Sequence, residues 1–195
     1  MQSEFRKGQL STWNFIEALV YLVAYRFGII DMDHAMSRAM KTIEGQQEEE
    51  LRRRTHLWFE NEVQGYAAKG AWNALDEHRH LGHALVLLTS SSLYESEIAT
   101  RFFDLDDFLC TRYRVEDGRF TGEVVKPMCY GSGKVIHAKA WAQKHGVELS
   151  RSYFYTDSIT DLPMLTQVGN PRIVNPDPRL RRLAKKKSWP ILDWS

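Results

Sequence analysis

The sequence predicts an α/β protein with a Rossmann-like parallel sheet core, preceded by a helical first third. From residue 84 onward, short apolar runs of strand length alternate with helical patterns, which is typical of a parallel sheet. No proline occurs before Pro127, which favours long helices in the first third. Apolar residues make up 43% of the 195 residues and charged residues 26%, as in globular proteins. This length suits one domain, or a core with a smaller lobe.

Overall charge and cysteine content exclude several classes of protein. The formal net charge is +1, so bulk electrostatics favour neither a nucleic-acid nor a membrane partner. Cys110 and Cys129 are the two cysteines, which do not make a disulfide framework and fit a reducing compartment. The first residues show no signal-peptide pattern, and we therefore expect a cytoplasmic protein.

Residues 11–30 form the most apolar stretch of the N-terminal region. Glu17 and Arg26 interrupt this stretch, which is already too short to cross a bilayer comfortably. Ser11 or Thr12 can cap its start, and Gly28 can end it. The pattern predicts a largely buried helix, with a helix on a membrane surface as the alternative.

An apolar run followed by Asp31 and Asp33 is the arrangement of a catalytic aspartate pair after a strand. The residues that follow instead place apolar side chains at three- and four-residue spacing, which predicts an amphipathic helix. Asp31 is then the N-cap of this helix, and Asp33 complements its dipole. We expect this pair to be structural.

Residues 46–71 and 72–80 read as two further helices. The first has a charged face and a buried aromatic stripe, and Gly82 follows the end of the second. Three histidines lie near this end and suggest a zinc site: His78, His80 and His83. Because the glycine break aims them differently, we expect a solvated helix end.

Residues 84–88 form a continuous apolar run, followed by hydroxyl residues that include Thr89 and Ser90 and by a helix over residues 93–103. Hydroxyls and free backbone N–H groups at the start of a helix can point at a phosphate group. The alternative is a serine- and threonine-rich turn that only caps the helix.

Two β-prone runs between residues 108 and 125 flank Glu116, Asp117 and Gly118, which predicts a hairpin. The next helix, over residues 135–145, has Lys134 in its opening turn. A lysine is electrostatically disfavoured there unless an anion is nearby. The surrounding spacing is not that of a Walker A loop.

Residues 153–165 carry the densest pattern in the chain. An apolar aromatic run suited to a strand is followed by Asp157 and Asp161, and Pro163 begins a helix. Two acids at the carboxyl edge of a sheet can hold Mg²⁺ together with water and a substrate phosphate. The alternative is a helix N-terminus whose acids complement the dipole. A last strand and helix follow, over residues 172–175 and from residue 179.

Three signals thus fall at strand ends or helix starts, as a phosphoryl-transfer site requires. Thr89 and Ser90 would bind phosphate, and Lys134 would bind it and neutralise its charge during catalysis. Asp157 and Asp161 would hold Mg²⁺.

The same residues carry a resemblance to the haloacid dehalogenase superfamily, in its phosphoserine-phosphatase-like subfamily IB. Thr89 resembles the second motif of that family, Lys134 the third, and Asp157 with Asp161 the fourth. The resemblance implies a core over residues 72–195, with a hairpin near residues 112–125. Residues 1–71 look like the helical cap of the family.

The first motif of the family, an apolar strand followed by D-x-D-x-[TV], supplies its nucleophilic aspartate. Asp31 and Asp33 lack the Thr or Val, since Ala35 stands there, and they lie too close to Thr89 to leave room for a cap. The resemblance therefore implies that the nucleophile and the central strand of the sheet precede residue 1. We expect an N-terminally truncated chain.

Two functions remain open. The first is a Mg²⁺-dependent phosphomonoester hydrolase acting on a small phosphorylated metabolite and inactive as this chain alone. The second is a non-catalytic module that binds phosphate or metal, a pseudophosphatase. A sheet without its central strand should expose unpaired edges, and we expect self-association through them.

Overall fold

The computed structural model describes residues 32–194. Seven helices lie within this part of the chain: α1 (Met32–Lys41), α2 (Glu48–Trp58), α3 (Lys69–His80), α4 (Leu93–Phe102), α5 (Ser132–His145), α6 (Leu162–Leu165) and α7 (Pro178–Lys187). The predicted helix over residues 11–30 and the Asp31 N-cap lie outside the described residues. None of the described helices is long and apolar enough to cross a membrane.

The strands form two parallel sheets and one hairpin: β1 (Val86–Ser92), β2 (Asp107–Thr111), β3 (Tyr113–Glu116), β4 (Arg119–Val124), β5 (Tyr153–Thr156), β6 (Asn170–Val174) and β7 (Ile191–Leu192). Strand β1 pairs in parallel with β2, and β5, β6 and β7 form a second parallel sheet in that order. The predicted α/β class and parallel core are confirmed.

The two parallel sheets are separate within residues 32–194. Strand β1 pairs on one side with β2, and β5 pairs on one side with β6. Their second edges therefore have no strand partner in the described part of the chain. Each such edge presents backbone N–H and C=O groups that a further strand would satisfy.

The hairpin forms at the predicted turn. Asp117 and Gly118 have φ values of 49° and 73°, so both central residues are left-handed, as a type I′ turn requires. The segment before the hairpin differs from the prediction, because the run beginning at Phe108 contains two strands. Strand β2 belongs to the parallel sheet with β1, and only β3 belongs to the hairpin.

Helices α1 and α2 pack on the hairpin and on α4. Met40, Tyr94 and Phe120 are the buried centre of this contact, and each has 2% of its surface exposed. The loop between the two helices also pairs with the hairpin, since Gly45 N donates to Phe120 O (2.8 Å) and Glu48 N donates to Gly118 O (2.9 Å).

The single helix predicted over residues 46–71 is wrong. Helix α2 ends at Trp58, a π-turn covers Phe59–Val63, and a 3₁₀ turn covers Gln64–Tyr66. Phe59 is buried there, with its ring edge-on to Phe102 at 5.6 Å between centroids. Packing of this aromatic ring and the weak helix propensity of Gly65 account for the break.

A second apolar core supports the β5–β6–β7 sheet. Leu165, Ile173, Leu180 and Ala184 form its buried centre, with exposed fractions of 1% or less. Asp177 caps α7, because its carboxylate accepts from Arg179 N and Leu180 N. This core fixes the sheet edge from which the residues after β5 project.

Candidate functional site

Lys134 lies in the opening turn of α5, where two glycines shape the approach of the chain. Gly131 has a φ of 51°. Gly133 lies so close to the Met128 carbonyl that a Cβ atom there would be 1.9 Å from its oxygen. This tight turn places the Lys134 side chain inside the protein, with 7% of the residue exposed.

The anion expected beside Lys134 is the Asp161 carboxylate. Lys134 Nζ lies 2.7 Å from Asp161 Oδ1 and 2.9 Å from Oδ2, so the ammonium contacts both oxygens. The Phe154 ring centroid lies 6.0 Å from the same nitrogen. The third and fourth predicted motifs therefore meet in a buried ion pair.

The Asp161 carboxylate also has a hydroxyl partner. Thr156 Oγ1 donates to Asp161 Oδ2 at 2.7 Å, and Thr156 is 8% exposed. Both oxygens of Asp161 are thus engaged by Lys134 and Thr156. A role for Asp161 as a metal ligand stays a prediction, and its observed contacts are those of a group that holds Lys134.

Asp157 follows β5 directly and is exposed. Its backbone oxygen accepts from Asp177 N at 2.9 Å, which anchors the loop to the start of α7. Ile159 N donates to the Asp177 carboxylate at 2.7 Å, so Asp177 holds this loop from both ends. The Asp157 side chain lies at the carboxyl edge of the sheet, the predicted position.

Thr89 and Ser90 are half-buried residues of β1. Thr89 Oγ1 accepts from Ser91 N at 3.1 Å, and Ser92 is the N-cap that accepts from Tyr94 N. Part of the hydroxyl cluster therefore caps α4, which was the alternative reading. Thr89 and Ser90 precede that cap, and their phosphate-binding role stays a prediction.

Cys129 lies in the loop before α5. Its thiol is fully buried and donates to Leu109 O at 3.4 Å. Burial raises the pKa of Cys129 to about 12, while the Lys134 charge acts in the opposite direction. The thiol is neutral at physiological pH, and its residue is tied to β2, since Cys129 N also donates to Thr111 Oγ1 at 3.2 Å.

The described residues fit Mg²⁺ only in part. Mg²⁺ is usually held by one or two carboxylates, water and substrate phosphate, and Asp157 offers one such carboxylate. Within residues 32–194, no group of three histidine, cysteine or acidic side chains is arranged to hold a metal. A Mg²⁺ site here needs phosphate oxygens or an acid from outside the described part of the chain.

The sequence predicted that the histidines near the end of α3 are solvated, and for His78 this prediction is wrong. His78 is buried, with Nδ1 2.8 Å from His83 Nδ1 and Nε2 2.9 Å from Tyr155 Oη. Burial lowers the pKa of His78, and the nearby His83 and Arg172 act in the same direction. The cause of the error is Tyr155, whose contact with α3 only the fold reveals.

Two supporting residues were missed at the sequence level. The sequence analysis singled out neither Thr156 nor Asp177. Asp177 had a usable signal, because an acid immediately before Pro178 is typical of an N-cap. Thr156 had no usable signal in the sequence, because its contact with Asp161 depends on how the chain turns after β5.

Fold and site together define a parallel α/β protein with a buried lysine–aspartate pair where the residues after β5 meet the start of α5. The family model described as haloacid dehalogenase-like hydrolase matches residues 1–166. The chain therefore belongs to the haloacid dehalogenase-like hydrolase family, and the resemblance stated from its motifs is confirmed.

Two relatives and one solved structure illustrate the similarity. A probable phosphatase of Mycobacterium tuberculosis is 40% identical over 118 residues, which is 60% of this chain and 41% of that protein. A phosphoserine phosphatase of the same organism is 30% identical over 164 residues, covering 84% of this chain and 53% of that protein. The chain thus spans about half the length of these relatives.

A crystal structure of a protein of unknown function from Bordetella pertussis Tohama I supports the fold. Its TM-score is 0.85 at 22% identity, and the match covers 98% of this chain and 87% of that one. At this identity the match establishes the fold alone.

Proposed function

We propose that this chain forms the body of a Mg²⁺-dependent phosphomonoester hydrolase that acts on a small phosphorylated metabolite. The observation that carries the proposal is the buried contact between Lys134 and Asp161 at the edge where Asp157 also lies. A lysine held there is suited to binding an anion delivered to the end of the sheet.

Each predicted site residue has a role in this proposal. Lys134 would neutralise the charge on the phosphoryl group, and Thr89 with Ser90 would donate hydrogen bonds to its oxygens. Asp157 would hold Mg²⁺, which when bound would stabilise the same charge. Asp161, with both oxygens engaged, would position Lys134 and would not ligate the metal directly.

The nucleophile would be the aspartate of a D-x-D-x-[TV] motif at the end of a strand that lies between β1 and β5. Within residues 32–194 neither β1 nor β5 has a strand partner on its second edge, which supports this placement. Attack by this carboxylate forms a new O–P bond and expels the substrate alcohol, and water then releases inorganic phosphate. Turnover is proposed to require that strand.

The proposed substrate is a small molecule, and the proposed setting is the cytoplasm. A phosphoserine phosphatase is among the relatives, so phosphoserine is the first metabolite to test. Cys110 and Cys129 are free and buried, which fits a reducing compartment. We propose neither a nucleic-acid nor a membrane partner, and we expect the unpaired edges of β1 and β5 to promote self-association.

The test is binding of inorganic phosphate in the presence of Mg²⁺, followed by hydrolysis of an aryl phosphate with and without an added strand peptide. The peptide would carry an apolar run followed by D-x-D-x-T. We expect Lys134→Ala to abolish phosphate binding, the exposed control Lys139→Ala to retain it, and turnover to require the peptide. Equal phosphate binding by wild type and Lys134→Ala would contradict the proposal.

A non-catalytic phosphate- or metal-binding module is the second candidate. It would use Thr89, Lys134 and Asp157 for binding without turnover. A stable, soluble chain that binds phosphate and Mg²⁺ but shows no turnover with the strand peptide would support this module and exclude the hydrolase.

A further inference from the structure

Thr156 is the last residue of β5, and its hydroxyl has two hydrogen-bond partners. Ser158 N donates to Thr156 Oγ1 at 3.2 Å, while Thr156 Oγ1 lies 2.7 Å from Asp161 Oδ2. A hydroxyl has a single hydrogen and accepts through its lone pairs. Because the Ser158 backbone N–H occupies a lone pair, the hydroxyl hydrogen is directed to Asp161.

This hydrogen bond selects one orientation of the Asp161 carboxylate. In that orientation both oxygens face Lys134 Nζ, at 2.7 Å and 2.9 Å. Without the hydroxyl, the carboxylate could rotate about its terminal bond, whose torsional preference is broad. Rotation would exchange the two-oxygen contact with Lys134 for a one-oxygen contact and would move the ammonium.

We propose that Thr156 is a positioning residue, which orients Asp161 and, through it, the Lys134 ammonium that meets the phosphoryl group. The inference rests on the proposed function for the identity of the anion. The positioning itself rests on contacts observed within this chain. Thr156 touches neither substrate nor metal in this arrangement and acts through its hydroxyl hydrogen.

Three variants separate the hydroxyl from the shape of the side chain. Thr156→Val removes the hydroxyl and keeps the branched shape, whereas Thr156→Ser keeps the hydroxyl. Thr166→Val is the matched control, because Thr166 is exposed and its hydroxyl donates only to Pro163 O within the described contacts. Thr156→Ala repeats the removal if valine disturbs the packing.

The first readout is the affinity of the folded chain for inorganic phosphate with Mg²⁺, measured by calorimetry well below the melting temperature. We expect Thr156→Val to weaken binding about tenfold, the effect of one lost hydrogen bond to a charged group. Thr156→Ser should stay within about twofold of wild type on the same scale. A loss of stability alone does not change the affinity of molecules that remain folded.

The second readout is a crystal structure of the Thr156→Val or Thr156→Ala variant. We expect a rotated Asp161 carboxylate and a displaced Lys134 ammonium. An unchanged Asp161–Lys134 contact overturns the positioning role whether or not phosphate binds. Phosphate binding that is absent, or independent of Lys134, overturns the proposed function instead, so the two failures are distinguishable.

Discussion

The Lys134 ammonium contacts both oxygens of the Asp161 carboxylate, and the two side chains are only 9% and 8% exposed. The positive charge lies in the first turn of α5, where the helix dipole opposes it. Asp161 offsets both this field and the cost of removing the ammonium from water. A charge kept under these conditions marks the centre of the candidate site.

Lys134→Ala should destabilise the folded chain by about 3–5 kcal/mol, because it leaves the Asp161 carboxylate buried without a counter-charge. Urea denaturation at neutral pH measures the change in the free energy of unfolding. Lys139→Ala, an exposed lysine on the same helix, should change stability by less than about 0.5 kcal/mol. Comparable losses in the two variants would show that the ion pair does not stabilise the fold.

Asp157→Asn should weaken Mg²⁺ binding by at least tenfold, because it removes the exposed carboxylate from the end of β5 (tenfold is about 1.4 kcal/mol). Asp31→Asn should leave Mg²⁺ affinity unchanged. Calorimetric titration with MgCl₂ in the presence of inorganic phosphate compares the two variants with wild type. Equal effects of the two substitutions would contradict the motif assignment.

Gly133→Ala should destabilise the chain by about 1–3 kcal/mol, the usual cost of forcing atoms into a filled space. A Cβ atom at this position would lie 1.9 Å from the Met128 carbonyl oxygen, so the start of α5 would have to shift. Gly65→Ala is the control, since no atom lies within 4 Å of the added carbon. Thermal melts of both variants check this, and Gly133→Ala should also weaken phosphate binding.

The stability of the chain should fall as pH drops through about 6.5, because the pKa of His78 is lowered in the folded protein. The neutral form is favoured when folded, so the unfolded chain binds more protons below its own pKa. The contribution of His78 to the free energy of unfolding is complete above the unfolded-state pKa of about 6.5 and is lost as the pH falls below it. Urea midpoints from pH 8 to pH 5 measure it.

His78→Gln should reduce this pH dependence, and the exposed control His80→Gln should preserve it. Glutamine retains a hydrogen-bonding group toward Tyr155 but does not titrate. Parallel curves for wild type and His78→Gln would show that another group causes the acid response.

Patterns that depend on near neighbours in the sequence were read correctly. The left-handed pair Asp117–Gly118 encodes its own turn. The helix containing Lys134 ends at His145, as predicted, before the left-handed Gly146. The need of Lys134 for a nearby anion also followed from its position alone. These features depend on forces that act within one or two helical turns.

Contacts between segments that are distant in the sequence were not predicted. The run that begins at Phe108 divides between two sheets. Its first part pairs with β1, where the partner of Phe108 is Leu87, 21 positions earlier in the sequence. His78 is buried by contacts that include Tyr155, 77 residues away in the sequence. The contact between Lys134 and Asp161 likewise joins residues 27 positions apart, and the metal-ligand role of Asp161 stays a prediction.

The backbone hydrogen bonds between the α1–α2 loop and the hairpin have a mechanical consequence. Gly45 and Glu48 are tied to β4 and its turn, and β4 runs through Pro127 directly into the loop that presents Lys134. The helices α1 and α2 are therefore joined, through these hydrogen bonds and one continuous backbone, to the loop that presents Lys134. A displacement of the two helices would act on the same stretch of backbone that leads to this lysine.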